Sequence, residues 1–72
     1  MYKHIFNAMT ARECHHALRR ANWECAVRSG LPDYEYQRRI RVGLLKRMAA
    51  FRRLTGRERM ILDLEKTLEN SG

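Results

Sequence analysis

Apolar residues recur with the period of an α-helix in three successive runs along the chain. In the first, Cys14, Ala17, Leu18, Ala21 and Cys25 fall on one narrow face, and their small size lets another helix approach closely. The opposite side of that run carries His16, Arg20, Trp23 and Val27 at helical spacing, so Trp23 is read either as core or as an interface anchor. In the second run, Tyr36, Ile40, Leu44, Met48 and Phe51 make a wide apolar stripe with Leu54 beside it. In the third, Ile61, Leu64 and Leu68 are expected to face inward.

The punctuation between the runs predicts where each helix starts and stops. "TARE", Thr10 to Glu13, has the form of a capping box, a hydroxyl followed three residues later by a carboxylate. Gly30 suits the left-handed stop after the first helix. Pro32 fits a first-turn position, with Asp33 and Glu35 at the positive end of the next helix dipole. "TGRE", Thr55 to Glu58, repeats the capping-box form. The expected helices span about 11–29, 32–54 and 56–69, preceded by an extended or irregular lead-in over residues 2 to 6. Short turns between three such helices predict one all-α domain, a small antiparallel three-helix bundle. Gly43, inside the second helix, is expected to mark a close contact or a kink.

Charge changes this picture at the second helix. Arg39, Lys46 and Arg53 recur every seven residues on the side away from the stripe, with Arg38 close by, and Arg41 and Arg47 add to the basic run. Between Gln37 and Arg57 there is no Asp or Glu. A helix that needs only solubility usually intersperses acids among such cations. The ladder therefore reads as a docking face, against the simpler reading of a solvated one. The third helix carries Glu58, Asp63, Glu65 and Glu69, which either screen the ladder or pair with it.

The whole chain is 72 residues long, with a formal charge of +7, so its core is thin and its partners should be anionic. A core of this size leaves little surplus over conformational entropy, and the lone chain is expected to be marginally stable. Arginine outnumbers lysine twelve to three, which favours forked recognition of carboxylate or phosphate. Cys14 and Cys25, eleven residues apart on one helix, sit ~16 Å apart along its axis and cannot bridge. They fit reduced, buried thiols in an intracellular, reducing compartment.

Chemistry is expected to be absent. His4, His15, His16, Cys14 and Cys25 lack metal-ligand spacing, and no third group orients a Cys–His nucleophile. There is no phosphate loop, paired-carboxylate site or dinucleotide fingerprint. No segment reaches the ~18 apolar residues of a membrane span, and "MYKHIFNAM" lacks the apolar core of a secretory signal.

Several stretches resemble known families. "ALRRANWEC", "LPDYEYQRRIRVGLLKR" and "GRERMILDLEKTLE" resemble the three helices of LYR-motif proteins, small basic mitochondrial proteins, with Ala17-Leu18-Arg19 where Leu-Tyr-Arg would stand. That resemblance implies an accessory subunit or assembly factor of a respiratory complex or of iron–sulfur machinery on the mitochondrial matrix side; otherwise a cytoplasmic location is expected. It also implies an acidic acyl carrier protein as partner, its acyl chain slipping between the helices. Arg38, Arg39, Arg41, Lys46 and Arg47 would then meet acidic side chains, and Ile40, Leu44, Met48 and Phe51 would line the slot. No other cofactor is implied. "ALRR", Cys25, Gly30 and "QRR" are similar in order to small-subunit ribosomal protein S-twenty-one, which implies RNA binding; the aromatic–Glu-Lys-Pro element of that family is replaced here by "IRVGLLKRMAAF". "LTGRERMILDL" resembles the opening helix of a LuxR-type DNA-binding domain, with no recognition helix after it.

The apolar backing of the ladder decides between these readings. Phosphate neutralisation alone needs neither a packed stripe nor an aromatic turn. Tyr, Trp and Arg together are the composition of protein–protein hot spots. The expected function is a non-enzymatic adaptor or accessory subunit docking onto an acidic protein surface. RNA binding is the alternative, and a small DNA-binding regulator the lesser one. The expected docking residues are Arg19, Arg20, Trp23, Tyr34, Tyr36, Arg38, Arg39, Arg41, Lys46, Arg47 and Arg53.

Overall fold

A computed structural model describes Phe6 and residues 8–71. It contains three helices, α1 (Ala11–Val27), α2 (Tyr34–Ala50) and α3 (Gly56–Ser71), and no strand among the described residues. The chain is an all-α three-helix bundle. Apart from Phe6, the segment expected to lead in at residues 2 to 6 lies outside the described residues.

Both capping boxes form. The Thr10 N–H donates to Glu13 Oε1 at 2.9 Å, and the Glu13 N–H donates to Thr10 Oγ1 at 3.2 Å. The Thr55 N–H donates to Glu58 Oε1 at 2.8 Å, and the Glu58 N–H to Thr55 Oγ1 at 3.2 Å. Each box satisfies two amides that the first turn would otherwise leave open. The backbone bond from Thr10 holds the Glu13 carboxyl below the usual carboxylate range, helped by the Thr10 hydroxyl.

α1 and α2 end differently. After α1, the Arg28 N–H donates to the Glu24 carbonyl and Gly30 takes φ +84°, as the sequence predicts. α2 begins two residues later than expected, at Tyr34, so Pro32 precedes the helix instead of opening it. The N-cap residue, Asp33, makes no side-chain cap bond; its carboxylate accepts instead from Arg28 Nη1 at 2.5 Å. α2 also stops earlier than expected, at Ala50, so Arg53 and Leu54 lie in the turn to α3. There the Arg52 N–H reaches the Ala49 carbonyl and the Arg53 N–H reaches that of Met48, a Schellman arrangement with Arg52 left-handed at φ +56°. Glycine is usual at that position, because a Cβ there costs about 1–2 kcal/mol.

The core is one cluster. Cys14, Leu18 and Ala21 of α1 pack with Val42, Leu44, Leu45 and Met48 of α2 and Leu62 of α3. The narrow face predicted for α1 is the buried one, and Cys25 is buried at its far end. α1 and α2 form the main pair, and α3 adds a smaller interface against α2. Of its apolar side chains, Leu62 alone is fully buried, with Ile61 packed beside it. Burial of each core leucine stabilises by ~2 kcal/mol. Phe6 seals one side of this pair: its ring packs directly on Gly43, where a Cβ would overlap it. The close contact expected at Gly43 is thus with the lead-in, not with another helix.

Two apolar expectations are corrected here. On α3, Leu64 and Leu68 face outward, Leu64 being 60% exposed, and Leu62 takes the inward place. The helix is turned by roughly one residue's rotation, ~100°, from the orientation its apolar pattern implies. That turn points Glu65 and Glu69 at cations of α2. In this orientation Arg38, which already approaches Glu35, gains a second carboxylate from Glu65, while Leu64 and Leu68 stay in water. On α2, Tyr36 and Phe51 lie at the exposed edges of the stripe, and Val42 and Leu45 complete the buried face.

Candidate docking surface

The structure separates the expected docking residues into two groups. The first belongs to the fold. Arg38 Nε lies 3.2 Å from Glu65 Oε2, and Arg38 also approaches Glu35 at 3.5 Å. Arg39 meets the same Glu35 carboxylate at 3.5 Å, and Lys46 lies 3.6 Å from Glu69. The ladder is therefore not unpaired, contrary to the expectation from α2's own sequence. Its acids come from one turn earlier and from α3.

Arg47 and Arg41 are turned inward too. Arg47 Nε donates to the Met9 carbonyl at 3.3 Å, and its guanidinium carbon sits 4.4 Å from the centre of the Phe51 ring. This ties the end of α2 to the entry of α1. Arg41 Nε is buried with no hydrogen-bond partner among the described residues, and its charge lies close enough to lower the pKa of the Cys25 thiol. Burial raises that pKa more strongly, leaving Cys25 a protonated thiol. Tyr34 is half-buried at the start of α2.

The second group is open. Trp23 is 62% exposed, so it is surface and not core. At 100° per residue His16, Arg19, Arg20, Trp23 and Val27 share the outer face of α1, and all five are exposed. The two carboxylates nearest that face are engaged within the chain. Glu13 is engaged in its capping box, and Glu24 is mostly covered, with Arg28 Nε 2.6 Å from its Oε2. Of the five, Arg20 approaches Glu24 at 4.0 Å, with a side chain that is otherwise open. The result is a stripe of two guanidiniums and an imidazole running into an indole and an isopropyl group.

The expected apolar slot is only partly assembled. Ile40 and Leu44 line a groove of about 450 Å³ between α1 and α2, with Ala17, Ala21, Phe6 and Met9, and Arg20 and Arg28 at its edge. Met48 is buried elsewhere, and Phe51 lies outside the groove under Arg47. Sequence reasoning also missed two surfaces. Met60, Leu64 and Leu68 form an exposed apolar row on α3, of which Leu64 and Leu68 are expected from the sequence to face inward. Arg53 joins Arg12 and His15 at one end of the bundle, though it lies far from them in the chain.

Among the described residues, no group of three or more His, Cys, Asp or Glu could hold a metal ion. No helix among them is long and apolar enough to cross a membrane. Comparison of the chain with protein-family models, with curated proteins and with solved structures yields no match.

Proposed function

We propose that this protein is a non-enzymatic adaptor or accessory subunit that docks onto an acidic protein surface through the outer face of α1. The observation that carries this reading is the exposure of Trp23 beside Arg19 and Arg20, on a face whose neighbouring carboxylates, Glu13 and Glu24, are engaged within the chain. An indole of this size left in water is an unfavourable surface for a lone chain and a strong anchor for a partner. Flanking guanidiniums supply forked bonds to carboxylates and steer the encounter. Nucleic acid would use the same cations but would gain little from Val27. The resemblance to LYR-motif proteins supports the same reading and extends it to a mitochondrial respiratory-complex subunit or assembly factor. On that extension, the groove beneath Phe6 would receive the carrier protein's acyl chain, for which its alanine, isoleucine and leucine lining is suitable.

The test compares the full chain with Trp23→Ala and with Arg19→Glu plus Arg20→Glu, each checked for helicity by circular dichroism. Both variants should lose a co-purifying acidic protein, and nuclease treatment should leave the native association intact. Dissociation by nuclease would replace the proposal with RNA binding. Unchanged association of both variants would show that the face is merely solvated.

A further inference from the structure

The end of the bundle where α1 and α3 begin and α2 stops carries cations that the adaptor reading does not use. Ala11, Arg12, His15, Met48 and Arg53 line a depression of about 460 Å³ there. No carboxylate lines it. The acids nearest in sequence, Glu13 and Glu58, are drawn back to the amides of Thr10 and Thr55. No hydrogen bond or ion pair holds the guanidinium of Arg12, Arg52 or Arg53 among the described residues. Such a gathering of like charges repels itself in the free protein and is relieved by an anion.

The backbone supplies a second, independent observation. Arg52 occupies the left-handed position of the turn, where glycine would sit without strain. The same turn holds Arg53 at the rim through its N–H to the Met48 carbonyl.

We propose that this end of the bundle binds a phosphoryl oxyanion, the phosphate or diphosphate group of a small molecule. Arg12 and Arg53 present planar forks from opposite elements, matched to phosphate oxygens, and His15 adds a donor from the next turn of α1. Arg52, next to Arg53 in the chain, adds to the positive charge of the same turn. The amides of the first turn of α1 are partly taken by the capping box, so the side chains and not the helix dipole carry the site. The site shares no residue with the Trp23 face, and it stands or falls apart from the adaptor reading.

Titration calorimetry of the full chain with inorganic pyrophosphate and orthophosphate, against acetate at matched ionic strength, tests this. Saturable binding of pyrophosphate and not of acetate is expected. Arg12→Gln and Arg53→Gln should each weaken it by about tenfold or more. Lys66→Gln, which removes one exposed charge elsewhere, should not. Arg52→Gly should raise the melting temperature while weakening pyrophosphate binding, a combination that a purely structural turn residue would not produce. Absence of saturation, equal response to acetate, or indifference to both Arg12→Gln and Arg53→Gln would overturn the proposal. Binding of a 5′-phosphorylated oligonucleotide without binding of pyrophosphate would overturn it in favour of nucleic acid.

Discussion

Glu65 Oε2 sits 3.2 Å from Arg38 Nε, and this pair fastens α3 to α2. Glu65 is buried, whereas the Arg38 side chain keeps 30% of its surface open. Glu65→Gln is expected to lower stability by roughly 1–3 kcal/mol, less than for a fully buried pair because Arg38 retains some water. A double-mutant cycle with Arg38→Gln, read by urea denaturation, checks it. The double variant should lose less than the two single losses combined. Strict additivity would show that the two side chains do not support one another.

Gly43 and Phe6 give a prediction whose sign reverses with background. Alanine ordinarily stabilises a helix interior by ~1 kcal/mol relative to glycine. Here its Cβ would overlap the Phe6 ring and displace it from the core. The packing lost is worth ~2 kcal/mol, so Gly43→Ala should destabilise by ~1 kcal/mol. In a Phe6→Ala background the same change should stabilise. The same sign in both backgrounds would show that the ring does not rest there.

Arg52→Gly relieves a left-handed backbone that arginine tolerates poorly. Stability should rise by about 1 kcal/mol, and the melting temperature by about 4–8 °C for a domain of this size. Arg52→Ala should bring no such gain, because its Cβ meets the same strain. An equal gain from both would place the effect in the charge and not in the turn.

The two thiols predict a pH dependence. Burial pushes Cys14 up, against a smaller downward pull from Arg47, and pushes Cys25 up against Arg41. A folded pKa above the unfolded one means that the native state holds the proton more tightly. The associated stability is fully present below about pH 8.5, the unfolded thiol value, and is lost as pH rises through the folded one. Urea midpoints should therefore fall in the alkaline range, and less steeply in a Cys14→Ala, Cys25→Ala variant. At neutral pH, labelling by a thiol reagent should follow unfolding; rapid labelling of the native chain would show the thiols to be accessible.

The parts of the fold legible in the sequence are the local ones. Thr10 with Glu13 and Thr55 with Glu58 close rings within a single turn, and Gly30 answers a steric demand at its own position. Such signals need no neighbour from elsewhere in the chain. The early stop of α2 was not legible. The apolar spacing continues through Leu54, and only the left-handed arginine, an uncommon choice, breaks the helix.

The candidate site divides in the same way. Arg19, Arg20 and Trp23 could be assigned to one face from their spacing alone, but their exposure could not. The acid-free run in α2 was real as sequence, yet Arg38, Arg39 and Lys46 are answered by carboxylates from outside it. Glu35 stands on α2 itself, within one turn of Arg38 and Arg39, but Glu65 and Glu69 arrive from another helix, which a window along one segment does not register.

By itself, the amino-acid order determined three helices, the capping boxes that open α1 and α3, and the small-residue face that α1 buries, because those depend on groups three or four positions apart. Only the tertiary arrangement decided which cations face water, which way α3 is rotated and that Arg12 stands beside Arg53. Those outcomes are set by Coulombic and packing terms between distant segments. Arg38 meets Glu65 across the interface of α2 and α3 while Leu64 and Leu68 face outward, a pairing that no local window of sequence contains.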